Sequence, residues 1–225
     1  MLETPDTQSA PAAGSAEPPR RRSQAERTEE TRRRAIDAAI RCLSRDGYPA
    51  TTTIRVAEEA KISRGGMLHH FPTKTDLIVT VAQAISERLH EQRKAALMKV
   101  PSPIERFRAL TGATWETSQG AEELALIEIM MAARGDPELA ERLPEVAQRL
   151  DDYQYDGTLR MAKAAGITVE PLVKAMHRLH QAAIRGLAIE LLFARDRKDI
   201  DAAYDLLRWY KDVVIERMLA ESSDR

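Results

Sequence analysis

The chain has 225 residues, a net charge of -1, 43% hydrophobic and 4% aromatic residues, a profile that fits a folded globular protein and excludes one coated in positive charge. No apolar run is long enough to cross a bilayer, and the N-terminus lacks the apolar core of a secretion signal. The single cysteine, Cys42, excludes an internal disulfide, so the expected location is the cytoplasm, with no membrane partner.

The charge is unevenly spread. Residues 20–77 hold 13 Lys/Arg against 8 Asp/Glu, whereas residues 78–225 hold 21 against 24. A basic segment on a mildly acidic body points to a polyanion partner at one end only.

Residues 1–25 read as a disordered tail rich in Pro, Ala and Arg, in which Arg20 to Arg22 would either touch DNA or simply solubilise the chain. From Glu26 to Arg45, Ile36, Ala39, Ile40 and Leu43 recur at helical spacing, and Gly47 ends the helix. "PATTT" follows, and a threonine there, Thr52 or its neighbour Thr53, caps a short second helix reaching about Ala60. A tight turn leads to a third helix from Ser63 or Arg64 to "HFPTK", where Pro72 fits the first turn of a fourth. Ile54, Val56, Ala57, Ala60, Ile62, Met67, Leu68 and Phe71 would form the small core. The fourth helix, Thr75 to Leu97, completes it through Leu77, Val81, Ile85 and Leu89. The layout is a helix-turn-helix.

Further helices are predicted at 103–118, 121–134, 138–164 with an interruption or kink near Pro144, 169–194 and 199–219. No segment alternates with period two, so the fold class is all-α. The expected domains are 26–74, a helix-turn-helix head, and 75–220, a helical body. Leu172, Met176, Leu179, Ala183, Leu187 and Leu191 stripe one late helix. Ile200, Ala203, Leu207, Tyr210, Val214 and Met218 stripe the other, and Gly186 permits close approach. These two helices either finish a monomeric core or pair with a twin to make a four-helix interface.

The third helix opens with Gly65 and Gly66, residues that weaken a helix by about 1 kcal/mol each relative to alanine. In return the backbone can lie close to a partner. If this helix enters a DNA major groove, Arg64 reaches guanine O6 and N7 and His69 another base edge. His70 and Lys74 are placed for phosphates, and the threonine at the start of the second helix donates across the groove. Metal and catalytic chemistry fit poorly. Adjacent His69 and His70 point about 100° apart on a helix and cannot act as an i,i+4 zinc pair. His177 and His180 lack a third ligand at a telling spacing, and there is no Gly-rich phosphate loop, CxxC or triad spacing. No catalytic residue, metal or cofactor is assigned.

Ala38 to Thr52, "AAIRCLSRDGYPATT", and Val56 to Leu77, "VAEEAKISRGGMLHHFPTKTDL", resemble the reading head of the TetR family of bacterial transcriptional regulators. Ser63, Gly65, His70, Phe71, Lys74 and Leu77 stand where that family usually has the same residues. Leu43 stands where phenylalanine is common, Lys61 where glycine is usual at the turn, and Leu68 where a tyrosine often meets phosphate. Gly66 replaces a residue that often touches a base. "IEIMMAARGDPELAERL" also resembles a segment of such effector domains. The resemblance implies a homodimer on a pseudo-palindromic, double-stranded operator, acting most simply as a repressor and not as an enzyme, and released by a small-molecule effector. An activator or global DNA binder with the same head, or failing these a helical enzyme, is the alternative. It also implies dimerisation through Leu172, Leu179, Ala183, Gly186, Leu187, Ala203, Leu207, Tyr210 and Val214. Candidate effector contacts are Trp115, Met130, Met131, Tyr153, Met161 and Met176, with Arg134 or His177 for a polar group.

Overall fold

The computed structural model describes residues 23–223, so the expected arginine arm at Arg20 to Arg22 and most of the tail lie outside the described residues. Nine helices, and no strand, occur among the described residues.

Helix α1 (Gln24–Ala50) starts at a capping box in which Ser23 accepts from Glu26 N and the Glu26 carboxylate accepts from Ser23 N. Its buried face is Ala35, Ile36, Ala38, Ala39, Ile40, Cys42 and Leu43. Gly47, at φ 77°, breaks the regular helix as expected; this left-handed conformation favours glycine. Helix α2 (Thr53–Ala60) is capped by Thr52, whose hydroxyl accepts from Arg55 N at 3.1 Å. It closes at Lys61, the sole non-glycine residue with positive φ (54°) among those described. The lysine thus takes the left-handed conformation that the resemblance assigns to glycine. The Arg34 guanidinium holds the Lys61 carbonyl at 2.9 Å.

Helix α3 (Arg64–His70) begins at Ser63, whose hydroxyl accepts from Gly66 N at 3.0 Å. Phe71 follows it and is buried against α1 and α4, as are Met67 and Val56. Ile54 departs from the expected core at 54% exposed, and Leu68 is 44% exposed. Both face outward because their eight- and seven-residue helices each bury one narrow stripe. Pro72 lies in the link rather than in the next helix. Helix α4 (Lys74–Leu97) is capped instead by Thr73 in a reciprocal box with Asp76.

The body follows as α5 (Pro103–Thr117), α6 (Ala121–Ala132), α7 (Pro137–Ala164), α8 (Glu170–Glu190) and α9 (Lys198–Ser223). Pro144 does not interrupt α7; it sits on an exposed face of a continuous helix, its ring directed away from the buried Leu143 and Val146. The head is not packed on its own. Its core of Leu43, Val56, Met67 and Phe71 is continuous with Ile129 of α6 and Leu139 and Leu143 of α7. Truncating a buried phenylalanine such as Phe71 to alanine costs about 3–5 kcal/mol, so this shared cluster fixes the head on the body. A second cluster, around Phe107, Ile167, Val173, Ile215 and Met218, holds α5, α7, α8 and α9 together.

Candidate nucleic-acid interface and ligand cavity

The exposed side of the head carries Thr52, Arg64, Gly65 and His69, with Thr53, Gly66 and His70 half-buried beside them. Most head arginines are already engaged. Arg34 caps α2, Arg41 and Arg45 share Glu59 at 3.0 and 3.4 Å, and Arg33 pairs with Glu30 at 2.8 Å. Arg64 has no ion-pair or hydrogen-bond partner among the described residues, so its guanidinium is available to a partner. A Cβ at Gly65 would meet nothing within 4 Å, whereas one at Gly66 would sit 3.2 Å from the Ser63 hydroxyl. The two glycines therefore serve different ends. Gly66 makes room for the cap, and Gly65 leaves open surface where another molecule can come close.

His69 and His70 pack edge to face, with ring centroids 5.4 Å apart. Burial, then the neighbouring charges of His69 and Arg32, hold His70 below the ordinary histidine range. The neutral imidazole that this favours can still donate a hydrogen bond. Lys74 is engaged within the head. Its ammonium donates to the Tyr48 carbonyl at 2.9 Å and lies 3.7 Å above the Tyr48 ring, which ties α4 to the end of α1. Burial lowers its pKa. In this rotamer Lys74 braces the head through Tyr48.

Polar bonds join head to body at this junction and further along α1 and α4. The Tyr48 hydroxyl donates to Asp136 at 2.5 Å, and Tyr48 N donates to Glu128 at 3.1 Å. Arg88 pairs with Asp37 at 2.6 Å and Arg142 with Asp76 at 2.8 Å. Helix α4 runs from this junction to a cavity of about 410 Å³ bounded by α4, α5, α7, α8 and α9. The volume suits a small organic ligand.

Of the expected effector contacts, Tyr153, Met161, Met176 and His177 line the cavity. Four do not. Trp115 is buried and stacks on Tyr204 at 5.1 Å. Met130 and Met131 are 41% and 55% exposed, because α6 turns Ala125, Ile127 and Ile129 inward and leaves these two outside. Arg134 follows α6 on the exposed surface. The cavity also contains residues that sequence reasoning missed: Arg93, Lys211, His180, Thr158 and Gln181. Two of them carried a legible signal. Arg93 continues the α4 stripe of Ile85 and Leu89 toward Leu97, and Lys211 falls in the α9 stripe between Leu207 and Ile215. A cation at an apolar register position marks a buried charge.

Lys211 is 2% exposed. Its ammonium donates to the carbonyls of Phe107 at 2.5 Å and Arg108 at 3.1 Å, and burial pushes its pKa down to about 7. Arg93 is buried with a long contact of 3.5 Å to the Thr117 hydroxyl, and burial lowers its pKa against the opposing pull of Glu123. His180 Nδ1 bonds the Met176 carbonyl at 2.9 Å, and His177 Nδ1 lies 3.2 Å from the Thr158 hydroxyl, which itself donates to Gln154. These partners assign the protons to Nδ1. The Nε2 atoms of both rings are buried and have no hydrogen-bond partner among the described residues. Burial lowers the pKa of both histidines.

The outer face of α8 and α9 is apolar. Leu179, Phe193, Leu206, Trp209, Tyr210 and Val213 are all exposed, Phe193 at 80% and Trp209 at 61%. The expected dimer residues divide. Leu179, Gly186, Ala203 and Tyr210 lie on this open face and Ala183 at its margin. Leu172 and Val214 pack into the second core cluster and Leu187 and Leu207 into a third around Ile184. Helix α9 carries two apolar stripes, and the outward one is Leu206, Trp209 and Val213, displaced by one residue from the expected Leu207 and Val214.

A capped two-helix reader on an exposed face, braced to a helical body with an internal cavity, defines a DNA-binding transcriptional regulator of the helix-turn-helix class. Residues 35–81 match the family described as "Bacterial regulatory proteins, tetR family". The HTH-type transcriptional regulator CymR of Pseudomonas putida is 27% identical, over 80% of this chain and 88% of its own length. The HTH-type transcriptional repressor AcnR of Corynebacterium diphtheriae is 24% identical, over 78% of this chain and 88% of its own. A protein from Saccharomonospora viridis, solved in complex with choline, shares the fold with a TM-score of 0.62 at 20% identity, covering 82% of this chain and 96% of that one. The family match thus lies on the reading head, and over most of its length the chain is similar to HTH-type transcriptional regulators.

Proposed function

We propose that the protein is a homodimeric repressor that occupies a pseudo-palindromic operator and leaves it when a small molecule enters the body cavity. One observation carries the reading: α4 has one end in the reading head and the other in the cavity wall. Its Lys74 braces Tyr48, while His90, Arg93, Lys94 and Leu97 line the cavity. A ligand favouring one placement of these side chains biases the placement of the head, a population shift governed by its differential affinity for the two states. Arg64 reads guanine through its free guanidinium, Gly65 permits close approach and His69 meets a second base edge. Thr52, Thr53 and His70 contribute neutral contacts to the backbone, Gly66 lets the Ser63 cap form, and Lys74 positions the head. Residues 26–74 act as the reader and 75–220 as the ligand-binding and dimerising body, although their cores are joined. A repressor and a choline complex among the similar proteins support both halves of the proposal, DNA occupancy and small-molecule response.

The outward stripe of α8 and α9 pairs with its twin about a two-fold axis, setting the spacing of the two heads. Regulation of this kind involves no catalysis and takes place with the chromosome, in the cytoplasm. The test is retention of DNA fragments by the purified protein at fixed salt against a shuffled duplex. Selective binding of two chains per site is expected; equal, weak retention of every fragment contradicts the proposal. Transcription from a bound promoter, which falls for a repressor and rises for an activator, decides the direction of control.

A further inference from the structure

The cavity wall is strongly one-sided in charge. Arg93, Lys94, Arg106, Arg160 and Lys211 line it, with three histidines, and no Asp or Glu does so among the described residues. The nearby carboxylates are engaged outside it. Glu123 pairs with Arg185 at 3.1 Å, Asp212 with Arg108 at 2.8 Å, and Asp151 with Arg178 at 2.7 Å, leaving Asp151 3.8 Å from His177 Nε2. Two of the cavity cations also have local acceptors: Arg106 bonds the Val100 carbonyl at 2.8 Å and Lys94 lies 3.4 Å from Glu91. Lys211 and Arg93 are different. Both are buried, and neither forms an ion pair among the described residues. Burying a charge without a counter-charge is unfavourable unless function requires it.

The groups follow one another along the cavity wall, Lys211 at the Phe107 end of α5 and Arg93 at its Thr117 end, linked through the two histidines. Lys211 and His177 each depress His180, and Arg93 depresses His177. The remaining wall is aliphatic, from Leu97, Leu110, Met161, Met176 and Ile184, with Tyr153 the one tyrosine, phenylalanine or tryptophan among the lining residues. A quaternary ammonium would find neither a carboxylate nor an aromatic cage there. A neutral oil would leave the cations and both Nε2 atoms unanswered. A carboxylate answers them, since its charge compensates Lys211 and Arg93 and favours protonation of the imidazoles, which then donate from Nε2.

We propose that the cavity is a site for a small apolar monocarboxylate, its carboxylate lying beside His177 and His180 between the buried cations Arg93 and Lys211, its body against the Met161, Met176 and Leu97 wall. The assignment rests on the ligand-responsive reading above and names the chemistry of the effector. Because Arg93 belongs to α4, the anion acts directly on the helix that carries the head.

The test is calorimetric titration of the full-length protein with octanoate, decanoate and 3-phenylpropanoate, and with the amide and primary amine of each skeleton. At least one carboxylate is expected to bind saturably and at least tenfold more tightly than its amide, with the amine weaker still. Lys211→Met and Arg93→Met, each checked for helical circular dichroism, are expected to lose that preference tenfold or more. Should either fail to fold, the wild-type series and the other variant carry the test. Equal binding of acid and amide, tighter binding of the amine, or saturation by none of the carboxylates overturns the proposal. DNA retention is measured separately on the same preparations. Carboxylate binding without any selective DNA retention overturns the repressor reading and leaves the anion site standing; selective DNA retention with no carboxylate preference does the reverse.

Discussion

Replacing Lys211 with methionine is expected to stabilise the ligand-free protein, most strongly at low pH. The lysine titrates near 7 in the fold against 10.5 when exposed. Below pH 7 both folded and unfolded chains carry the charge, and burying it costs roughly 5 kcal/mol. Between these two pKa values the unfolded chain binds the extra proton, so the wild-type protein gains stability as pH rises and the cost is gone above the upper value. Methionine is close in size. It loses two neutral hydrogen bonds to the Phe107 and Arg108 carbonyls, about 1 kcal/mol each, and gains apolar burial of similar size. Lys211→Met should therefore add about 2–5 kcal/mol at pH 6, or roughly 5–15 °C in Tm, with the advantage shrinking steadily toward pH 10. Urea unfolding of both proteins across this range measures the difference, and titrations common to the two cancel. A variant less stable at pH 6, or a difference that does not change with pH, would refute the idea that Lys211 is held at a cost to the fold.

Four further outcomes are expected. Arg64→Ala should lose about 1–3 kcal/mol of operator affinity and relax base preference at one step of each half-site, read by fluorescence anisotropy on single-base variants; a uniform loss across sequences would make Arg64 a phosphate contact. Gly65→Ala meets no atom within 4 Å, so its Tm should hold or rise by the equivalent of up to about 1 kcal/mol while operator affinity falls; unchanged affinity removes close approach as the reason for this glycine. Lys61→Gly relieves a left-handed lysine, worth about 1–2 kcal/mol, against roughly 0.5–1 kcal/mol of added chain entropy, so a small net stabilisation should appear in thermal unfolding. Trp209→Glu places a charge at the centre of the outward α9 stripe and should give monomers by sedimentation with helix content intact; an unchanged dimer would move the interface elsewhere.

The head was legible because its signals are local. Thr52, one of the two threonines expected to cap α2, does so, α3 starts at Arg64 within the expected pair, and Gly47 takes the conformation expected of a glycine stop. Ile54 and Leu68 misled because a short helix with several apolar residues does not say which of them turns inward. The body was legible as helices, but the side-chain partners of its residues depend on contacts far along the chain. Trp115 meets Tyr204 and Lys211 meets Phe107, pairings that helical periodicity does not encode. On α9, two apolar stripes one residue apart exchange roles when only one is noticed. Lys211 and Arg93 were the neglected clue: charged residues on apolar stripes show where the body departs from plain packing.

The most direct test of the central claim is binding of the purified protein to DNA from immediately around its own gene, at one near-physiological salt concentration, with a shuffled duplex as competitor. The account predicts saturable, sequence-selective retention with two chains per half-site pair, lost in the Arg64→Ala, His69→Ala double variant. Equal retention of every duplex, or selective retention that survives the double variant, would contradict it.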